Sequence, residues 1–279
     1  MRVLSFFIMV GLSASCLKPS VNNRENVTLE FYPGTPTKAE ISIGNYFSKL
    51  NIMLFDEDGN RAFDKVKTQT ADENGYGTLS LALQEGTYTV VAIGHSSRVS
   101  ATIKSPTVAQ FTASNGEKLT DTFCYCGQII VGKEKTTHTL VMGRVAAMFR
   151  LWLTDDTPSI VKAFRFDYTG GSANFNPSTG QGITKSSQSE TRPTSGSGVY
   201  QVFTFPYLAA SGVLKVTVTA LDSNGSSVRQ RNFTDVPVTV NMITTYTGPF
   251  FEEGDGETTQ SDFGFSVNGD WDGEQTFTF

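Results

Sequence analysis

The sequence is poor in the residues that build reactive centres. Its 279 residues include two histidines, His95 and His138, and three cysteines, Cys16, Cys124 and Cys126. The histidines belong to no HExxH pair and there is no GxSxG elbow, which excludes the common zinc-hydrolase and serine-hydrolase patterns. Each reads as a partly exposed residue at or near a strand end. Three cysteines are too few for a disulfide-built scaffold of this length. Cys124 and Cys126 flank Tyr125, so on a strand they share a face. A bridge between them would be strained and no partners for a two-cysteine metal site stand out, so they read as small residues filling a strand's inner face. Clustered positive charge is missing too. The 22 Lys and Arg are scattered against 27 Asp and Glu, and a net charge of −5 offers no track for phosphates. Nucleic acid is a poor partner class, and no catalytic, metal-binding or cofactor-binding constellation emerges.

Long apolar runs are equally scarce. The main one follows Arg2, from Val3 to Leu12, and ends at Ser13-Ala14-Ser15-Cys16. Ten residues span roughly 15 Å as a helix, about half a bilayer core, so the run is too short for a stable transmembrane anchor. It reads as a signal peptide, residues 1–15, with small residues before the cut. A cysteine at the cleavage point fits a bacterial lipobox, in which Cys16 is acylated and residues 16–26 form the lipidated linker. Leu12 sits one place earlier than usual, with Ser13 in its slot. Loss of Arg2 moves the charge from −5 to −6, and 279 minus 15 leaves 264 residues, enough for two modest cores.

What fills those residues is strand and turn. Leu50–Phe55 leads into Asp56-Glu57-Asp58-Gly59-Asn60; Gly77–Leu83 alternates with period two, then turns at Glu85-Gly86 into Thr87–Ile93. Val213–Leu221 alternates again, as do Val236, Val238 and Val240. Runs rich in Val, Ile, Thr and Tyr, punctuated by Gly, Asn and Asp, predict antiparallel sheets. Only Ala39–Leu50 has helical spacing. The expected fold is all-β, two tandem β-sandwiches over residues 27–142 and 143–279. Leu50–Gly59 also resembles Leu214–Gly225, each an alternating strand feeding an Asp-x-Asp/Asn-Gly turn, which suggests related halves. The stretch Ser186–Gly198 reads as a long exposed loop.

Several motifs imitate chemistry. Gly127-x-x-x-x-Gly132-Lys133 has the outline of a phosphate loop, but Glu134 replaces its hydroxyl and Gln128–Val131 reads as strand. Asp56–Asn60 lacks the glycine position and twelfth-position glutamate of a calcium loop, where Lys67 stands, so a hairpin turn explains it. Glu252–Glu257 is a denser acidic patch and reads as a solvated loop. Trp152 and Trp271 read as core or sheet cover, although an exposed Trp271 would suit carbohydrate.

The sequence resembles the fimbrillin-A-associated anchor proteins of Bacteroidales. The likeness rests on the lipobox ending at Cys16, the Leu50–Gly59 strand and turn, and the Gly86-Thr87-Tyr88-Thr89-Val90 strand entry. It rests also on Leu140-x-x-x-Arg144-x-x-Ala147 with Asn241-x-x-Thr244-x-Tyr246-x-Gly248-x-Phe250. The resemblance implies two transthyretin-like sandwiches and a non-enzymatic fimbrial role. The chain would be tethered to the outer membrane through Cys16 and would pair with other fimbrial subunits by β-strand addition. Leu17-Lys18-Pro19-Ser20 departs from the acidic residues often associated with surface export. Candidate polymerisation strands are Phe263-x-Phe265-x-Val267 and Phe277-x-Phe279, whose other role would be closure of the second sandwich. Two other functions share these features: a glycan- or protein-binding surface lipoprotein, and a stalk or tip subunit cut after Arg24 or Lys38.

Overall fold

The computed structural model describes residues 24–34, 42–111, 119–209, 211–252, 259–264 and 271–279. Nine strands come first: β1 (Val27–Pro33), β2 (Lys49–Phe55), β3 (Lys67–Thr70), β4 (Thr78–Leu81), β5 (Gly86–His95), β6 (Ala101–Ser105), β7 (Val108–Phe111), β8 (Thr122–Val131) and β9 (Thr136–Arg144). Seven of them form one hydrogen-bonded series, β3-β2-β5-β8-β9-β1-β4, with β1 and β9 parallel. β8 and β9 pair only at Phe123–Arg144 and Cys124–Gly143, and at that corner the series folds into two facing layers. Period-two alternation fills the space between them. Leu29, Phe31, Leu140 and Met142 meet Leu50, Ile52, Leu54, Val90 and Ala92 in one buried cluster. β2 and β5 are covered on their second face as well, which is why their sequences are nearly continuous apolar runs.

The remaining strands are β10 (Ala147–Leu153), β11 (Ala163–Thr169), β12 (Gly171–Ser172), β13 (Asn174–Phe175), β14 (Ser187–Pro193), β15 (Val199–Pro206), β16 (Ser211–Leu221), β17 (Ser227–Thr239), β18 (Met242–Gly248), β19 (Thr259–Gly264) and β20 (Gly273–Thr278). A four-stranded sheet, β14-β11-β16-β17, faces a six-stranded one, β12-β15-β10-β18-β20-β19. Phe149, Leu151, Phe164, Phe166, Val216, Val218 and Phe233 lie between them. β10, β11, β14, β15, β16, β17 and β18 repeat the pairing of β1, β2, β3, β4, β5, β8 and β9, parallel pair included, except that the short β8–β9 ladder has no counterpart between β17 and β18. The nearly all-β reading holds. The crossover from one set to the other lies at Val145–Ala146, between β9 and β10.

Four local expectations change. Ala39–Leu50 forms no α-helix where it is described: Ile43–Asn45 makes one 3-10 turn and Lys49–Leu50 already belongs to β2. Ile43 and Phe47 are buried all the same, so the helical spacing marked inward residues rather than a helix. Most of Ser186–Gly198 is strand β14, because Gln188 and Glu190 turn inward and bond the Tyr168 hydroxyl at 3.0 and 2.5 Å. His95 is fully buried rather than partly exposed. Finally, the two look-alike hairpins occupy unequal places, since β2 corresponds to β11 and β16 to β5. Their likeness is turn chemistry: Asp56 Oδ1 accepts from Asp58 N and Asn60 N, Asp222 Oδ1 from Asn224 N and Ser226 N, and Gly59 and Gly225 both have φ of 79°.

A third core joins the two sets. β6 and β7 pair with each other and β7 pairs with β13, so one small sheet draws strands from both sides of the crossover. Beneath it, Met53, Phe55, Val91 and Ile93 pack with Ala101, Ile103, Phe111, Val145, Phe175 and Phe205. Cys124 and Cys126 share this covered face, close to Pro177 O and Ser178 Oγ respectively.

Candidate functional site

The registers give the molecule two poles. β1 starts at Val27 opposite Thr136 and runs with β9 toward the crossover. From there β10, β18 and β20 run on in parallel, Met242 opposite Gly273 and Thr247 opposite Thr278. The chain that leads in from residue 26 therefore meets the fold at one pole. Phe279 lies at the other, with the turns after Leu153 and Leu221. Cys16 lies outside the described residues.

Of the candidate polymerisation residues, Phe265 and Val267 are also outside the described residues. Phe263 belongs to β19, whose backbone pairs with β20 opposite Gln275. Phe277 stacks on Tyr246 with centroids 4.9 Å apart, and Phe279 meets the edge of Phe233 at 5.0 Å. Both pack against the second core, and Phe279 N donates to Thr247 O at 3.1 Å. β20 thus occupies the edge of β18. The corresponding edge of β9 is different. Met142 O accepts from Gly34 N and Thr136 N donates to Asn26 O, so alternate residues face β1. The backbone groups of Thr137, Thr139 and Val141 face away, and among the described residues no strand pairs with them.

At the crossover sits a cation. Arg144 Nε donates to both oxygens of Asp121, at 2.8 and 3.0 Å, and its Nη1 donates to Asn241 Oδ1 at 2.8 Å. The guanidinium lies between the rings of Phe123 and Trp271, 4.6 and 4.2 Å from their centroids. Asn241 has φ of 59°, donates its N–H to Ala146 O and accepts from Asp272 N. Burial pushes the Asp121 carboxyl up, against the pull of Arg144. Arg144 and Asn241 are the two motif positions noted above, and their work is to fasten the crossover to the start of β20. Asp121 carried no signal in the sequence, because nothing near it marks a partner 23 residues away.

The remaining candidates are structural. His95 Nδ1 accepts from Ser97 N at 3.1 Å, which leaves Nε2–H to donate to Asn51 Oδ1 at 2.8 Å. Burial, with Lys49 adding to it, holds the imidazole pKa down to about 3. His138 is half-buried within β9. Burial raises both thiol pKa values, so neither Cys124 nor Cys126 is an activated nucleophile. Gln128–Val131 lies within β8, a rigid strand. Among the described residues no three His, Cys, Asp or Glu side chains converge on a metal position. Of the run Glu252–Glu257 only Glu252 is described, and its carbonyl accepts from Arg229 and Arg231. Of the two tryptophans expected as core or sheet cover, Trp271 keeps that place and Trp152 does not. Trp271 stacks on Phe203 at 6.2 Å, whereas Trp152 is 51% exposed.

Several solved structures are similar to the chain at low identity. A putative adhesin from Bacteroides ovatus superposes with a TM-score of 0.50 at 15% identity, covering 74% of this chain and 76% of that one. Putative polysaccharide binding proteins from Bacteroides thetaiotaomicron give 0.51 at 10% identity, covering 74% and 80%. The fimbrial anchor protein Mfa2 from Porphyromonas gingivalis gives 0.43 at 14% identity, covering 75% and 82%. No curated protein matches the sequence. Over residues 15–275 it matches the family described as fimbrillin-A associated anchor proteins Mfa1 and Mfa2, and the chain belongs to that family.

Proposed function

We propose that the chain is a lipid-tethered anchor of a cell-surface fimbrium, acylated at Cys16 in the outer membrane and joined to its neighbour by β-strand addition. Membership of the family places it among fimbrial anchor and adhesin-like structural proteins. The observation that carries the finer reading is the unequal filling of equivalent edges. β18 is paired along both sides, by β10 and β20, whereas β9 is paired along its length by β1 and, among the described residues, on its other side only at Gly143 and Arg144 by β8. A row of unpaired N–H and C=O groups is a template for an incoming strand, and a parallel strand beside β9 would repeat what β20 does beside β18. Phe277 and Phe279 are seated in their own core, so the acceptor edge of β9 is the better candidate than a donated C-terminal strand. The reading takes the chain as tandem domains, with the boundary expected between residues 142 and 143 moved past the end of β9 to Val145–Ala146.

Two substitutions test it. Cys16→Ala removes the acyl chains, each buried methylene of which contributes about 0.8 kcal/mol of membrane affinity, and shifts the protein from the membrane to unprocessed or soluble fractions. Thr139→Pro removes an outward N–H from the open edge without touching the β1 pairing, and fimbriae are shed while the protein stays folded and membrane-bound. Palmitate labelling that survives in the first variant overturns the tether; fimbriae held normally by the second overturn the acceptor edge.

A further inference from the structure

A second binding surface lies on the outer face of the six-stranded sheet, near the pole away from the N-terminus. Trp152 of β10 stands directly across from Val199 of β15, and its indole is 51% exposed. Side chains alternate, so Val199, Gln201 and Phe203 share this outer face while Tyr200 and Val202 enter the core. The same three residues, with Tyr200, line a cleft of about 640 Å³ at the edge of β15, between Arg192, Ser195 and Ser197 on one side and Leu119–Thr120 on the other; Trp152 stands beside that lining rather than in it. That volume lies within the ~300–1,000 Å³ of small-ligand clefts.

The chemistry of the cleft selects its occupant. Among the described residues Arg192 is its only charged lining residue, and its guanidinium is ion-paired with Glu190, so the described lining offers no uncommitted cation to a phosphate or carboxylate. A peptide strand finds little to pair with. Leu153 N donates to Gly198 O, which sets the phase of β15 and turns the backbone of Val199, Gln201 and Phe203 toward the cleft edge. Val199 N is taken by Ser197 Oγ at 3.3 Å and Val199 O by Ser195 Oγ at 3.5 Å, and Phe203 O lies 3.1 Å from the Tyr168 hydroxyl, so the backbone left for a strand is that of Gln201 and Phe203 alone. What remains is an apolar floor, an exposed indole beside it, and a rim of hydroxyl and amide groups. Flat apolar faces edged with hydroxyls are the complement of that surface. We propose that this face binds a neutral oligosaccharide, one sugar ring lying on Trp152 and the next over Val199 and Gln201.

The inference does not depend on the anchor reading. The full chain is titrated with neutral gluco-, manno- and galacto-oligosaccharides, with sulfated and sialylated glycans, and with an unstructured peptide pool, by calorimetry for every variant and by indole fluorescence in the unaltered protein. A neutral series binds and shifts the emission. Trp152→Ala weakens it about tenfold or more, Trp152→Phe retains most of the affinity, and Gln201→Ala weakens it less than Trp152→Ala does. Trp152 is exposed, so none of its variants threatens the fold. Absence of binding by every neutral glycan, equal binding by Trp152→Ala, or preference for the anionic glycans or the peptides overturns the proposal.

Discussion

His95 shows how burial decides what a residue does. Its ring is enclosed, meets the edge of Phe111 at 4.9 Å, and links Ser97 to Asn51, which in turn accepts from Ala101 N at 2.9 Å. Protonation would put a donor where Ser97 N–H already points, with no solvent to spread the charge. The folded pKa of about 3 is below the ordinary 6.5, so between those values the unfolded chain takes up the proton and the folded chain does not. The stability this residue contributes is complete above about pH 6.5 and is lost as the pH falls toward 3, by up to ~5 kcal/mol. Denaturant midpoints from pH 7.5 to 4.5 measure the loss. In His95→Gln the midpoint falls less steeply over the same range; an unchanged slope would place the titrating group elsewhere.

At the scale of the element, turns are local and pairings are not. Asp56 and Asp222 each hold two backbone N–H groups ahead of a glycine at positive φ. Such turns are legible from four residues, which is why both hairpins stand out in the sequence. The same logic makes their loss modest: Asp222→Ala lowers stability by about 1–2 kcal/mol in equilibrium unfolding, and Asp56→Ala by a similar amount. A loss above about 4 kcal/mol in either would mean the turn does more than close a hairpin. β14 escaped notice for the opposite reason. Gln188, Glu190 and Arg192 look like loop composition, and it is the buried Tyr168 hydroxyl on β11, with the Arg192 guanidinium, that makes an inward carboxylate tolerable. An inward charge on an edge strand also discourages unwanted pairing there.

At the scale of the molecule, the third core decides whether the two strand sets behave as beads or as one body. Phe175 and Phe205, from the later strands, are fully buried among Met53, Val91, Ile93 and Phe111 of the earlier ones. Arg144 adds a fastening between Asp121 and Asn241. Both sets therefore unfold together in one calorimetric transition. Phe175→Ala removes about 3–5 kcal/mol of packing from the shared core and splits the transition into two. Two separate transitions in the unaltered protein would show that the shared core does not couple them.

By itself the sequence determined what depends on neighbours a few residues apart. Alternation in Leu50–Phe55 and Val213–Leu221 marked strands, Asp and Gly marked turns, and with few histidines, cysteines and basic clusters no catalytic or nucleic-acid-binding motif stood out. The Arg144 and Asn241 motifs pointed to the family without saying what those residues hold. Only the tertiary structure decided which strands correspond between the two sets, which edge is filled and which is open, and which tryptophan faces solvent. The physical reason is range. Periodicity and turn chemistry are set by the backbone within one strand or turn, whereas the seat of β20 beside β18 and the contact of Arg144 with Trp271 join segments far apart in the chain. Those pairings are chosen by the burial they complete, and burial exists only once the whole chain has folded.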